Sequence, residues 1–160
     1  MDFTSYRGIA FDLDGTLIDR VNDSVRDYVL SNPDQKFNIV TFRTRAEGRD
    51  IARELHHAGL DVERFTEIVF APDRLVREFR EDQQMRRSAG LPMLSRSTAN
   101  LLEGEHKYVH WKGFVARKLG CQLLVDDMAY LTRPGCEKYN VEFIDAHDFP
   151  KISMPADIAA

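Results

Sequence analysis

The sequence predicts an α/β protein, a parallel β-sheet with helices packed on both faces. Three observations carry this. Short apolar runs alternate with helix-like stretches along nearly the whole chain. Turn-forming clusters separate them, as in "SNPDQ" and "AP". Several of the runs end in a polar or acidic residue, as a buried strand does where it emerges at the carboxyl edge of a sheet.

The elements come in this order. "RGIAFD" is a strand ending at Asp12, and "DSVRDYVLS" (23–31) sets Val25, Tyr28 and Val29 at helical spacing. "KFNIVTF" is the second strand. "RAEGRDIARELHHAGL" brings Ile51, Ala52, Leu55 and Ala58 to one helical face and is closed by Gly59. "TEIVFAP" is a third strand, stopped by Pro72. "DRLVREFREDQQMRRSAG" is a polar, Arg-rich helix with Leu75, Val76 and Phe79 as its apolar stripe. "LPMLSRSTANLLEGEHK" carries no clear pattern. "HWKGFVARKLG" is a helix closed by Gly120, "CQLLVDD" a fourth strand and "VEFIDA" a fifth. One domain spans 1–150, with 72–106 as its candidate small cap and 151–160 as a loose tail.

The 160 residues suit one domain, and 43% hydrophobic with 30% charged residues is a globular composition rather than a disordered one. With 22 basic against 26 acidic residues the net charge is −4, so nothing general draws the chain to nucleic acid. Cys121 and Cys136 show no CxxC spacing and read as small buried side chains in a reducing, cytoplasmic setting. No signal-peptide pattern opens the chain, and no apolar run is long enough to span a membrane.

Asp12, Thr41 and Asp126 fall at or near strand carboxyl ends, where the ligands of such sheets bind. Asp12, Asp126 and Asp127 in one crevice repel one another: at ~4 Å two like charges cost about 4 kcal/mol at an effective dielectric near 20. A hard divalent cation removes that cost, and an all-oxygen set without cysteine favours Mg²⁺ over zinc. A carboxylate beside such a cation can attack phosphorus, and a second carboxyl two residues on, Asp14, can serve as acid and base. Gly15 permits the sharp turn, and Thr16 can cap or hydrogen-bond the next few residues. An EF-hand reading fails, because positions six and twelve from Asp12 are Leu17 and Asp23.

"FDLDGTL" resembles the first signature of the haloacid dehalogenase superfamily. Thr41 resembles the second signature's hydroxyl residue, Lys112 the third signature's lysine, and "LLVDD" the acidic fourth signature. The resemblance runs from about residue 8 to 148. It implies a Rossmann-like three-layer sandwich with a minimal cap. It further implies a nucleophile at Asp12, a general acid/base at Asp14, phosphoryl contacts from Thr41 and Lys112, and Mg²⁺ held by Asp12, the Asp14 backbone and Asp126 or Asp127. The pair Asp12 and Asp14 is that of the phosphatase rather than the dehalogenating branch.

"VTFRTRAEGRDIARELHHAGL" and "LLVDDMAYLTRPGCEKYNVEFIDAHDF" are further similar to the 3′-phosphatase domain of phage polynucleotide kinases. Thr41-Phe42-Arg43 matches its hydroxyl-spacer-arginine pattern, which makes Arg43 a substrate-binding candidate whose planar fork suits phosphate oxygens. Three departures stand out. The segment after the first signature is short, Met128 replaces the arginine that usually follows the paired acids, and Lys107 competes with Lys112. No P-loop is present.

The resemblance implies a phosphomonoesterase acting on a phosphoester, with nucleic-acid 3′-phosphate ends as the first expectation. A small-molecule phosphatase and a non-catalytic binding domain are the alternatives. In the Arg-rich helix, interleaved Glu78, Glu81 and Asp82 favour a salt-bridged solvated face over a phosphate track.

Overall fold

A computed structural model describes residues 3–18, 23–91 and 107–150. Strands β1 (Ile9–Phe11), β2 (Phe37–Thr41), β3 (Phe65–Phe70), β4 (Leu123–Asp126) and β5 (Glu142–Asp145) form one sheet. Its order is β3-β2-β1-β4-β5, and every pairing is parallel. Helices α1 (Asp23–Ser31), α2 (Ile51–His57), α3 (Asp73–Ser88), α4 (Lys107–Lys118) and α5 (Ala129–Lys138) connect and flank them.

Alternation along the strands builds two separate cores. Ile9 and Phe11 face one side with Phe37, Ile39, Leu123 and Val125, covered by Val25 and Val29 of α1 and Ile51 and Leu55 of α2. Ala10, Val40 and Leu124 face the other side, covered by Ala116 of α4 and Cys136 of α5. Strands buried on both faces explain why the sequence reads as continuous apolar runs. A third cluster joins Val76 of α3, Tyr108 and Val109 of α4, and Leu131 of α5.

The structure differs from the sequence reading at one stretch and adds a helix to it. The stretch 45–50 forms turns and α2 begins only at Ile51, with Ala52 exposed rather than on the core face. The segment after the paired acids is a helix, α5, although Pro134 lies inside it. Proline cannot donate to the carbonyl four residues back, so it signals a break; packing overrides that signal here, with Leu131, Thr132, Gly135 and Cys136 all buried. The 72–106 segment is described as far as 91: α3 is a long helix packed on α4, while 92–106 and the 151–160 tail lie outside the described residues.

Gly113 of α4 meets Gly135 of α5 without side chains between them. A Cβ on Gly135 would come within 2.7 Å of the Val109 carbonyl oxygen, and one on Gly113 would run into the Gly135 backbone. No helix among the described residues is long and apolar enough to cross a membrane.

Candidate functional site

The sheet order reverses direction between β1 and β4, and the crevice at the carboxyl ends of those two strands is where a site is expected. Asp12 follows β1 directly, and its N–H donates to the Val125 carbonyl at 2.9 Å, which fixes it beside β4. The chain then folds back on itself. Leu17 and Ile18 N–H groups donate to Leu13 O, Gly15 N–H donates to Ile18 O, and Leu13, Leu17 and Ile18 enter the core. Burying the leucines and isoleucine around the turn leaves Asp12 and Asp14 at the crevice. Gly15 has φ +73°, and a Cβ there would overlap the Asp127 carboxylate. Only glycine meets both demands at low cost.

Lys112 is the centre of the crevice. It is 1% exposed, and its Nζ lies 2.7 Å from Asp12 Oδ1 and 2.6 Å from Asp126 Oδ2. A buried ammonium is tolerated only when it is paired. Asp126 is fully buried and accepts three hydrogen bonds: Oδ2 also accepts from Thr132 Oγ1 at 2.7 Å, and Oδ1 accepts from Met128 N–H at 2.7 Å. Met128, where the related pattern has arginine, thus contributes its backbone N–H to the network.

Burial pushes the Asp12 carboxyl up, and the neighbouring Asp126 adds to this; the Lys112 ammonium opposes both, leaving Asp12 at about 7 against an ordinary 3.8. Burial alone would pull Lys112 down, but Asp12 and Asp126 hold it above its ordinary value. Asp127 is also raised, by burial and by Asp126. Among the described residues, two buried polar atoms have no hydrogen-bond partner, Asp127 Oδ1 and Thr16 Oγ1. Ligand atoms of Asp12, Asp126 and Asp127 lie within 4.8 Å of one another, so this cluster could hold a metal ion. The orphaned oxygen on Asp127 and the hard carboxylate donors fit such an ion.

A second group adjoins the first. Arg43 Nε lies 2.9 Å from Asp14 Oδ2, its Nη2 also bonds Asp14, and its Nη1 lies 2.6 Å from Glu54 Oε2. Thr41 is buried, and its hydroxyl accepts from Arg43 N–H at 3.1 Å, which shapes the loop that carries the guanidinium.

No family model, curated protein or solved structure matches the chain.

The sequence-derived residues therefore resolve into two contact groups, Asp12–Lys112–Asp126 with Asp127 alongside, and Asp14–Arg43 with Thr41 behind it. Gly15 joins the groups through its approach to Asp127, and Thr16 lies buried beneath. Lys107 opens α4, but its side chain lies outside the described ones. Sequence reasoning missed Thr132, Glu54 and the glycine crossing. Thr132 sits six residues beyond Asp126 and becomes a partner only once α5 is known to be a helix. In the Arg-rich helix Arg74 pairs with Glu78, Arg86 with Asp82, and Arg80 with Glu47, which favours the salt-bridged reading.

Proposed function

We propose that the chain is a Mg²⁺-dependent phosphomonoesterase of the haloacid dehalogenase type, acting through Asp12 on phosphoesters, with nucleic-acid 3′-phosphate ends as the substrate class. The observation that carries this reading is the buried Lys112 bridging Asp12 and Asp126 at 2.7 and 2.6 Å. A lysine so completely buried between two acids at strand ends is costly for stability alone, and costly buried charge concentrates at functional sites.

In this reading an Asp12 carboxylate oxygen attacks phosphorus while the bond from phosphorus to the ester oxygen breaks. The Asp14 carboxyl gives its proton to that departing oxygen. Water then attacks the phosphorus of the aspartyl-phosphate and gives a proton to Asp14, the acyl-phosphate P–O bond breaks, and Asp12 is restored. Lys112 balances charge on Asp12, and the Thr41 hydroxyl and Arg43 are donors for phosphoryl oxygens.

Asp12 and Asp127 are the metal ligands this arrangement favours, with the Asp14 backbone that the resemblance adds, because Asp126 already serves Lys112, Thr132 and Met128. A bound Mg²⁺ would supply charge neutralisation between the nucleophile and the phosphoryl group. The test is phosphate release from a 3′-phosphorylated oligonucleotide and from an aryl phosphate, with and without Mg²⁺, for wild type and Asp12→Asn. Mg²⁺-dependent release that vanishes in Asp12→Asn supports the reading. Release that survives the substitution sinks it.

A further inference from the structure

Beside the acidic crevice lies a groove of about 630 Å³. Asp14 and Arg43 belong to both, so a group carried on a phosphate held at the crevice extends into this groove. One side is apolar: Val76 and Phe79 from α3, Phe42 after β2, and Tyr108 from α4. Three of these are rings in a nearly parallel column, with Tyr108 4.1 Å from Phe42 and 3.9 Å from Phe79, at interplanar angles of 11° and 10°. The column ends at Lys112, whose Nζ lies 4.3 Å from the Phe42 centroid. The rest of the lining is polar, with Asp14, Arg43 and the Glu47–Arg80 pair at 2.9 Å.

From this division we infer that the groove is a nucleoside subsite, which receives the base of the nucleotide whose phosphate is cleaved; the inference rests on the phosphatase reading above. The volume is far larger than a phosphate needs and falls within the range of small-molecule sites. A nucleoside matches both sides of the groove. Its planar, apolar base packs against the side of the ring column, and its polar edge meets residues that include a carboxylate acceptor and guanidinium donors. A sugar phosphate would leave the ring column unused. An acyl chain would strand Arg43, Glu47 and Arg80 against hydrocarbon. Because the rings are already stacked on one another, little side-chain freedom is lost when a base arrives.

The test compares thymidine 3′-phosphate with its abasic counterpart, 1,2-dideoxyribose 3-phosphate, in wild type, Phe79→Ala and Phe79→Leu. The readout is the ratio of kcat/KM for the two substrates. Wild type is expected to prefer the base-bearing substrate by about tenfold or more, and the ratio falls toward one in Phe79→Ala. Phe79→Leu keeps apolar bulk against Tyr108, so it takes the place of Phe79→Ala should that variant fail to fold, and it too loses most of the preference. A wild-type ratio near one, or a ratio unchanged in a folded variant, overturns the subsite. If wild type cleaves neither substrate, the oligonucleotide and aryl phosphate assays above decide the phosphatase reading, and thymidine itself, titrated against wild type and Phe79→Leu by ligand-detected NMR, decides the subsite. Saturable binding that weakens in the variant upholds it, and absence of binding overturns it.

Discussion

Gly113 and Gly135 touch backbone to backbone where α4 crosses α5, and Lys112 is the residue just before that contact. The close approach of the helices brings Lys112 and Thr132 onto the same carboxylate, Asp126. A methyl group at Gly135 has only backbone to push against. Gly135→Ala is therefore expected to cost about 1–3 kcal/mol in urea unfolding. It is also expected to slow phosphate release roughly tenfold to a hundredfold through displacement of Lys112. Wild-type stability in Gly135→Ala would show that the helices part at no cost.

Lys112→Met keeps the length of the side chain and removes its charge. Asp12 then loses the ammonium that favours its charged form and takes up a proton, while Asp126 is left as a buried charge without its cation, and unfolding free energy is expected to drop by about 3–5 kcal/mol. Millimolar Mg²⁺ should restore part of the loss, since it supplies the missing positive charge. Denaturant melts with EDTA and with Mg²⁺ measure both effects; a loss under ~1 kcal/mol would mean that the triad is not electrostatically coupled.

The raised carboxyl at Asp12 sets a pH dependence for the metal-free protein. Folded Asp12 keeps its proton to about pH 7, whereas the unfolded carboxyl releases it near its ordinary 3.8. Between these values the unfolded chain binds fewer protons, so the Asp12 contribution to stability declines as pH rises through that window. Asp12→Asn cannot titrate there. Its melting temperature relative to wild type should climb from about pH 4 to about pH 7 in EDTA, and thermal scans at several pH values give the slope. A flat difference would place the proton elsewhere.

Asp126 and Asp127 are adjacent acids with different expected failures. Asp127→Asn should leave the fold nearly intact and weaken Mg²⁺ binding by about tenfold or more, because one charged donor is lost. Asp126→Asn should be the destabilising one, since its carboxylate is fully buried and serves Lys112, Thr132 and the Met128 N–H. Calorimetric Mg²⁺ titration beside a thermal melt separates the two. The opposite ranking would reassign the ligand.

Much of the fold was legible in the chain because parallel strands buried on both faces leave an apolar run, which the three central strands β1, β2 and β4 show, while the edge strands β3 and β5 were marked by the turn signals around shorter apolar stretches. The candidate acids were legible because each stands where such a run stops. What escaped was whatever depends on helix-to-helix geometry. "LTRPGCEK" hides a helix, because Pro134 carries a local penalty that burial of Leu131, Thr132 and Cys136 outweighs. Nothing local in the sequence marks Gly135 as the contact residue it is in the fold. Glu54 reads as one more charge on a solvated helix, and nothing local marks it as the partner of Arg43.

Arg43 is held on one side by Asp14 and on the other by Glu54. The guanidinium thus has an intramolecular anion already in its fork. On the phosphatase reading proposed above, a phosphoryl oxygen that takes this fork would displace the Asp14 carboxylate, and the carboxylate would return when the oxygen departs. A resident competitor of this kind would trade tightness for exchange: inorganic phosphate would be held weakly, and Asp14 would be freed for proton transfer only while substrate occupied its place.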